Sequence, residues 1–386
     1  MPLNLSAAGL RPLSECSPSP FIGRICERPG PPESSRTREI LLVRQPVDRL
    51  PPGFRGYLLM EEGGVDPNLR DVYLLAPEHR YLAEGDVVRI HSERGWLAAL
   101  YRRASPSNTF LVTERCDNYC LMCSQPPRKQ DDSWLVDELM EVIPLISPET
   151  QEIGITGGEP GLLRGRLVEL LDQLKRCLPR TAVHILSNGR AFAAVDFARE
   201  LGRIRHPDLM LGVPLYSDLP EEHDYVVQAR GAFDETVRGI LNLKRARLRV
   251  ELRFVIHAQT YFRLPEFADF VARNLLFVDH VALMGLELMG FAKTNLGALW
   301  VDPLDYQGQL SAAVRRLNRA GLSTSIYNHQ LCTLPAELHP FARKSISDWK
   351  NIYVADCEQC TRRDSCGGFF ASAALRRSRG IHPFQD

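Results

Sequence analysis

The most constraining feature of this 386-residue sequence is an alternation of strand-like and helix-like segments through its middle. Apolar residues recur at helical spacing between the strand-like runs, for example on the face formed by Leu167, Leu170, Leu171, Leu174 and Leu178. Six strands are predicted, at residues 110–113, 152–156, 183–186, 210–215, 250–257 and 280–286. Such alternation with short connections predicts an α/β fold, a partial (β/α)6 TIM-like barrel of parallel strands.

The regions on either side of this alternation are organised differently. Residues 1–104 contain short β-like runs and are predicted to form a small β-rich N-terminal domain. Residues 105–300 hold the predicted barrel, and residues 301–386 form a predicted C-terminal domain rich in cysteine. A chain of this length is expected to form two or three domains. For the N-terminal domain, both a docking role for substrate or partner and simple capping of the barrel remain open.

Three cysteines, Cys116, Cys120 and Cys123, follow the first predicted strand with the spacing C-x3-C-x2-C. A 4Fe-4S cluster normally takes four thiolates, and no fourth Cys or His lies nearby in the sequence. The spacing therefore predicts a 4Fe-4S cluster in which one iron is open to a ligand that is not protein. Zinc is the alternative, although structural zinc takes four Cys or His ligands and the nearest histidines are His91 and His184.

The second predicted strand leads directly into Gly157, Gly158, Glu159 and Pro160. Glycines let the backbone approach a ligand closely. Glu159 offers a carboxylate at the carboxyl end of a strand, where α/β sheets and barrels bind their ligands. The four residues therefore predict a site for a cationic ligand. Gly-Gly-Glu-Pro is also an ordinary turn, so this motif alone leaves both interpretations open.

Taken together, the two motifs resemble those of the radical S-adenosylmethionine (radical SAM) superfamily. The resemblance implies that the three cysteines hold the cluster and that the amino and carboxylate groups of S-adenosylmethionine (SAM) chelate its fourth iron. It also implies that residues 157–160 bind the methionine end, with Glu159 accepting hydrogen bonds from the ammonium. Met122 stands where the family usually has an aromatic residue near the adenine, and a thioether also packs against a purine.

Polar residues follow two of the later strands. Ser187 and Asn188 precede Gly189 at the end of the third strand, where they suit hydrogen bonds to a ribose or a carboxylate. The resemblance implies the same role for them, although Asn-Gly is also a common turn dipeptide. Ser217, after the fourth strand, is a further candidate cofactor contact. No acid or base is predicted, because nothing distinguishes one of the ten histidines from the others.

A second cysteine group lies near the C-terminus: Cys357, Cys360 and Cys366 have the spacing C-x2-C-x5-C, and Cys332 lies upstream. Four thiolates make a complete site for a second 4Fe-4S cluster or for zinc. The spacing resembles the core of the auxiliary-cluster domains called SPASM or twitch. Full SPASM domains have a further cysteine where this chain has Phe370. The resemblance therefore implies one auxiliary cluster.

At closer range, residues 113–127 resemble the HxsC-type maturase of the His-Xaa-Ser repeat peptide system. They begin Thr-Glu-Arg-Cys and end Cys-Leu-Met-Cys-Ser-Gln-Pro-Pro. The resemblance implies three partners: a precursor peptide with His-Xaa-Ser repeats, an electron donor such as flavodoxin or ferredoxin, and a second radical SAM maturase. It also implies reductive cleavage of SAM to a 5'-deoxyadenosyl radical, which abstracts hydrogen from the peptide. The C-terminal cluster is expected to take back an electron.

The composition argues against some partners. With 47 basic and 47 acidic residues the chain has no polybasic footprint for nucleic acid. It also has neither an apolar run of about 18 residues for a membrane span nor a signal-peptide core. Thiolate ligands require a reducing compartment, so a cytoplasmic location is expected. Two alternatives remain open: a radical SAM enzyme acting on a small-molecule metabolite, and a non-catalytic binding protein stapled by zinc.

Overall fold

The chain divides into two units of compact structure. The first comprises Met1–Phe110, Trp134–Ile153 and Leu170–Ala182, and the second comprises Leu111–Ser133, Gly154–Glu169 and Val183–Asp386. The structure is a computed structural model that describes residues 5–28, 36–63, 66, 68–344 and 352–385. The division into domains at residues 104 and 300 stays a prediction.

Eight strands form a mixed sheet in the first unit, in the order β1-β8-β7-β3-β4-β5-β6-β2. The strands are β1 (Ser6–Ala8), β2 (Leu10–Pro12), β3 (Phe21–Cys26), β4 (Glu39–Val43), β5 (Gly56–Leu59), β6 (Val72–Leu75), β7 (Val87–His91) and β8 (Trp96–Tyr101). Strands β3 to β6 pair in parallel, whereas β1, β2 and β7 pair with their neighbours antiparallel. Strands β1 and β2 stand at opposite ends of this order, but only Gly9 separates them in the sequence. The sheet therefore closes on itself.

The interior of this closed sheet is apolar. Its side chains include Ile25, Ile40, Leu58, Tyr73, Val88, Ile90 and Leu97, all of them buried. Alternate residues of each strand point inward, and burial of their apolar surface stabilises the sheet by the hydrophobic effect. The observed sheet agrees with the β-rich character predicted for residues 1–104.

A second sheet has seven strands in the order β15-β14-β13-β12-β11-β10-β9. The strands are β9 (Asn108–Leu111), β10 (Glu152–Thr156), β11 (Ala182–Leu186), β12 (Leu209–Pro214), β13 (Arg249–Ile256), β14 (His280–Gly285) and β15 (Thr324–Tyr327). Strands β11 to β15 pair in parallel. The six predicted strands are present, with ends within two residues of those expected. The predicted α/β fold with a parallel sheet is confirmed.

The seventh strand of this sheet, β15, was not predicted. It lies in the segment that the sequence assigned to the C-terminal domain, and it pairs with β14 at the edge of the sheet. Four residues are too few for a periodic pattern to distinguish a strand from a loop. Its pairing depends on a neighbour about forty residues away in the sequence.

Nine α-helices lie in the described part of the chain. They are α1 (Trp134–Val142), α2 (Gly165–Cys177), α3 (Val195–Ile204), α4 (Pro220–Val227), α5 (Ala232–Arg245), α6 (Leu264–Asn274), α7 (Phe291–Thr294), α8 (Leu296–Leu299) and α9 (Gln307–Arg319). The predicted leucine face of α2 is buried along its whole length, which shows that helical periodicity marked the core side correctly. None of the described helices has both the length and the apolar character needed to cross a membrane.

Short 3₁₀ helices connect many of these elements. They lie at Pro77–His79, Ser92–Arg94, Ile143–Leu145, Pro160–Leu163, Arg190–Ala193, Tyr261–Arg263, Pro303–Asp305, Leu331–Thr333, Ala336–Phe341, Ala355–Cys357, Arg363–Ser365 and Ala371–Ala374. Two of them directly follow the loops after β10 and β11. These loops leave the carboxyl ends of neighbouring parallel strands, so the fold brings their residues to one edge of the sheet.

Candidate functional site

One cavity of about 310 Å³ in the second unit collects most of the predicted site residues. The predicted residues that line it are Cys116, Cys120, Met122, Cys123, Gly157, Gly158, Ser187 and Asn188. They come from the loop after β9, the turn after β10 and the loop after β11. The fold therefore brings the two sequence motifs to the same cavity, as parallel strands with adjacent carboxyl ends require.

Asp132 fixes the start of the cysteine loop. Its carboxylate is 2% exposed, and it accepts a hydrogen bond from the Thr113 hydroxyl at 2.9 Å. It also accepts from the backbone N–H of Glu114 and pairs with Nε of Arg115 at 3.2 Å. Hydrogen bonds to a buried charge are strong, so this residue holds the chain in place immediately before Cys116.

The later part of the cysteine loop is held by its backbone. The N–H groups of Tyr119 and Leu121 donate to the carbonyls of Val227 and Val226 at 3.0 and 2.9 Å, which lie at the end of α4. The carbonyl of Cys123 accepts from the N–H of the first residue of α7 at 2.8 Å. The loop that carries the three thiols is thus tied to two helices of the same unit.

Gly157 and Gly158 are required by the close approach of two backbones. A Cβ on Gly158 would lie 2.2 Å from the backbone O of Arg115, and one on Gly157 would lie 2.6 Å from the O of Thr113. The N–H of Gly158 donates to that same Thr113 carbonyl at 2.7 Å. The sequence suggested that the glycines admit a ligand. In the structure they line the cavity and, in addition, let the turn pack against the cysteine loop.

Glu159 is held by hydrogen bonds from the protein. Its carboxylate is fully buried, does not line the cavity, and accepts hydrogen bonds from three protein donors. These are the N–H of Gly161 at 2.6 Å, the Ser187 hydroxyl at 2.7 Å and the N–H of Asn188 at 2.5 Å. Burial raises the pKa of Glu159 to about 7 against the opposing effect of these donors. Glu159 therefore joins the loops after β10 and β11.

Asn188 links the loop after β11 to the cysteine loop. Its Nδ2 donates to Oδ1 of Asp117 at 2.6 Å, and its Oδ1 accepts from the N–H of Arg190 at 3.0 Å. Arg190 in turn pairs with Asp117 at 3.3 Å and with Glu235 at 2.6 Å. The Asn188 side chain therefore helps to position the residue next to Cys116, while the residue itself faces the cavity.

Two other predicted contacts lie outside the lining of this cavity. Pro160 is buried as the first residue of a 3₁₀ helix. The hydroxyl of Ser217 donates to Glu222 at 2.8 Å and accepts from the N–H of Leu219 at 3.1 Å. Its bonding is therefore that of a local turn before α4, which begins at Pro220. Polarity after a strand could not distinguish such a turn from a ligand contact.

The three cysteines of the cysteine loop are half-buried. Burial raises the pKa of Cys116 to about 12 and raises the pKa values of Cys120 and Cys123 as well. Without a metal these thiols are protonated at neutral pH, and metal binding would displace their protons. Three thiols on one cavity provide the donor set that a cluster with one open iron requires.

The far wall of the cavity contains residues that the sequence analysis missed. Arg253 and Glu287 are its charged residues among those described, and Tyr216, Asn118 and Asn328 also line it. Arg253 lies within β13, between the fully buried Leu252 and Phe254. Arg249, Glu251 and Arg253 alternate with apolar residues along this strand. This alternation was a usable signal, because alternate residues of a strand share one face of the sheet.

The four C-terminal cysteines also come together. Cys332, Cys357, Cys360 and Cys366 line one small cavity of the second unit. Burial raises the pKa values of Cys332 and Cys357, and each of these thiols lies within electrostatic range of Cys366. The four thiols match the donor set of either a cluster or zinc. Among the described residues, no three His, Cys, Asp or Glu side chains are arranged to hold a single metal ion.

Comparison with known proteins identifies the class of the central domain. Residues 110–271 match the model of the Radical SAM superfamily. The chain therefore carries the domain of radical SAM enzymes over the segment that contains both motifs, and the predicted radical SAM class is confirmed there. This class uses a 4Fe-4S cluster and SAM. No curated protein sequence matches the chain.

Several solved structures are similar to part of the chain. SuiB of Streptococcus suis, bound to S-adenosylmethionine, is 14% identical, with 58% of this chain and 51% of that chain covered and a TM-score of 0.47. Native anSMEcpe with bound AdoMet and Cp18Cys peptide is 15% identical, with 57% and 62% covered and a TM-score of 0.44. Methylornithine synthase (PylB) is 15% identical, with 57% and 64% covered and a TM-score of 0.39. The chain spans about half the length of SuiB. These likenesses do not define the activity of this chain.

Proposed function

We propose that this chain is a radical SAM enzyme that modifies a ribosomally made precursor peptide. The observation that carries the proposal is the single cavity lined by Cys116, Cys120 and Cys123 together with Gly157 and Gly158. Three thiols and a glycine turn from separate strands are the two features that the radical SAM class requires. Their convergence in one compact unit supports the proposal.

The residues of the cavity have distinct tasks in this proposal. The three cysteines would hold the cluster, and the backbone of the Gly157–Gly158 turn would face the methionine end of SAM. Met122, Ser187 and Asn188 would face its nucleoside. When bound, the cluster and SAM supply a 5'-deoxyadenosyl radical that abstracts a hydrogen atom from the substrate. The protein holds the reacting groups in position and excludes water around them.

Glu159 and Asp132 would hold the cavity-lining loops in position without lining the cavity themselves. Both carboxylates are buried. Glu159 accepts hydrogen bonds from backbone N–H groups of two loops, and Asp132 accepts from one backbone N–H group, that of Glu114. Substrate-facing residues are held accurately only when their own supports are rigid. Ser217 and Pro160 lie outside the cavity lining, and we assign them no contact with the cofactor.

We further propose that the C-terminal cysteines hold one auxiliary 4Fe-4S cluster. The proposal is supported by their convergence on one cavity and by the SPASM-like spacing of three of them. A cluster at this place could accept an electron from the substrate and make the net reaction oxidative. Zinc at the same four thiols would remove that role and favour a redox-neutral modification.

The substrate proposal rests on the resemblance of residues 113–127 to the HxsC-type maturase. The peptide would carry His-Xaa-Ser repeats, flavodoxin or ferredoxin would supply the electron, and a second radical SAM maturase would act on the same peptide. A cytoplasmic location and the domain boundaries at residues 104 and 300 accompany this proposal. Both remain to be tested.

The test is anaerobic reconstitution with iron and sulfide, followed by reduction with dithionite and addition of SAM. We expect 5'-deoxyadenosine and about eight irons per chain, since each 4Fe-4S cluster contributes four. Cys116→Ala should abolish the product, and Cys357→Ala should reduce the iron to about four per chain. Cys177→Ala is the matched control, because Cys177 belongs to neither cavity lining.

Three other outcomes would change the proposal. Zinc without any 5'-deoxyadenosine would overturn the catalytic function and leave a metal-stapled binding protein. About four irons together with one zinc would keep the enzyme and remove the auxiliary cluster. Formation of 5'-deoxyadenosine without any change in the mass or the stereochemistry of a peptide of His-Xaa-Ser repeats would overturn the peptide substrate and favour a metabolite.

A further inference from the structure

The cavity contains a partly exposed guanidinium that has few hydrogen-bond acceptors from the protein. The side chain of Arg253 is 18% exposed and lines the cavity from β13. Its Nη1 donates to Oε1 of Glu251 at 2.8 Å, and its Nη2 contacts Sδ of Met284 at 3.2 Å. Within the described part of the chain, Glu251 supplies its only oxygen acceptor. A guanidinium has five N–H donors, so Arg253 has N–H groups left to donate to a ligand in the cavity.

The surroundings of Arg253 keep its head group in place. Glu251, two residues earlier on the same strand, is 8% exposed and lies 3.7 Å from Nε2 of His184. Gly212 on the adjacent strand leaves the space for the stem, because a Cβ there would lie 2.9 Å from Cδ of Arg253 and 2.9 Å from Nε2 of His184. The position of the guanidinium is therefore built into the packing of three strands.

The charge balance indicates the kind of group that would complete this site. Arg253 and Glu251 already neutralise each other, and burial lowers the pKa values of His184 and His280, so both rings are neutral at pH 7. A carboxylate brought next to this pair would bury an unbalanced negative charge. A neutral acceptor satisfies the free N–H groups without that cost. Main-chain carbonyl oxygens of a peptide are such acceptors, and the fork of a guanidinium can bind two oxygens at once.

We propose that Arg253 is a substrate-binding residue that donates hydrogen bonds to main-chain carbonyl oxygens of the peptide held in the reaction cavity. The proposal rests on the peptide function argued above and adds a binding residue to it. In this arrangement Glu251 orients the guanidinium, and Gly212 provides its space. The bond between Arg253 and the peptide would hold the chain against the wall formed by β12, β13 and β14.

The test measures binding to the reconstituted protein. The probe is a fluorescent peptide of four His-Ala-Ser repeats with blocked ends, which contains no carboxylate. Arg253→Met should weaken its affinity about tenfold to a hundredfold, as expected for lost hydrogen bonds to a charged donor. Arg253→Lys keeps the positive charge but not the forked arrangement of N–H donors, so its peptide affinity should lie between those of the wild type and Arg253→Met. Arg249→Met is the matched control on the same strand, because Arg249 is half exposed and pairs with Asp208 outside the cavity.

The double variant Arg253→Met with Glu251→Gln separates binding from structure. Arg253→Met alone leaves the Glu251 carboxylate buried without its partner, so its urea midpoint should fall, and the double variant should recover it. Peptide affinity should stay low in the double variant. Wild-type peptide affinity in the double variant would overturn the proposal.

The affinity for SAM tests whether Arg253 binds the cofactor instead of the peptide. The dissociation constant of SAM should change by less than about threefold in Arg253→Met. A larger loss in SAM affinity than in peptide affinity would reassign Arg253 to the methionyl carboxylate and overturn the proposal. If the wild-type protein cleaves SAM but does not bind the peptide, the peptide function fails and Arg253 loses this ligand with it. If the wild type binds and the double variant binds equally, only the role of Arg253 fails.

Discussion

Replacing Glu159 with glutamine should change how the stability of the protein depends on pH. The carboxylate is fully buried, and burial raises its pKa from the ordinary 4.5 to about 7. Because the folded-state pKa lies above the unfolded one, the unfolded chain releases this proton first as the pH rises. The free energy of unfolding contributed by Glu159 therefore falls between pH 4.5 and about pH 7. Glutamine does not titrate and removes this dependence.

The size of the effect follows from the pKa. Moving it from 4.5 to about 7 corresponds to about 3 kcal/mol, at about 1.4 kcal/mol for each pKa unit. Glutamine also replaces one acceptor oxygen by an NH2 group that faces donors such as the N–H of Gly161 or of Asn188. At pH 4.5 the wild-type carboxyl is protonated and also carries a donor, so the cost of the lost hydrogen bond, about 1 to 3 kcal/mol, applies only against the ionised carboxylate. Apart from this cost, the stability of the wild type relative to Glu159→Gln should fall by about 3 kcal/mol between pH 4.5 and about pH 8.

Urea unfolding of the metal-free protein across this pH range measures the effect. Subtracting the two curves removes the titration of every group that both proteins share. Glu169→Gln is the matched control, because Glu169 is exposed on α2 and pairs with Arg166 at 2.7 Å. The control should run parallel to the wild type. A difference between Glu159→Gln and the wild type that stays constant with pH would refute the reasoning.

Three further predictions concern the cysteine loop. Gly158→Ala should lower the free energy of unfolding by about 3 kcal/mol, because a Cβ would lie 2.2 Å from the Arg115 carbonyl oxygen. The control is Gly165→Ala, whose added Cβ meets nothing within 4 Å. Equal urea midpoints for the two variants would contradict the prediction. Asp132→Asn should lower the free energy of unfolding by about 2 kcal/mol, because a buried charged acceptor is lost. An unchanged urea midpoint would argue against Asp132 as the residue that fixes the start of the cysteine loop. Assembly of the clusters at pH 7 displaces thiol protons in addition to those of hydrogen sulfide, so a pH-stat should record less proton release per chain for Cys116→Ala than for the wild type; equal release would show that the Cys116 thiol does not bind the cluster.

The sequence by itself determined the periodic parts of this protein. Six parallel strands and the buried leucine face of α2 followed from apolar spacing, because local periodicity reports directly which face is buried. The two motifs after β9 and β10 could also be recognised in the sequence. Residues at the carboxyl ends of parallel strands lie at one edge of the sheet, so the two motifs were expected to form one site. The match of residues 110–271 to the model of the Radical SAM superfamily confirms the predicted class.

Tertiary structure decided what each of these residues contacts. Spacing suggested Cys332 as a partner of Cys357, Cys360 and Cys366, but only the fold brings it to the same cavity across a gap of 25 residues. Glu159 faces away from the cavity because three donors from two loops surround it. Arg253 faces the cavity because its strand places it there. These outcomes depend on contacts between distant segments, which local periodicity does not encode, and packing therefore assigned the roles that the sequence left open.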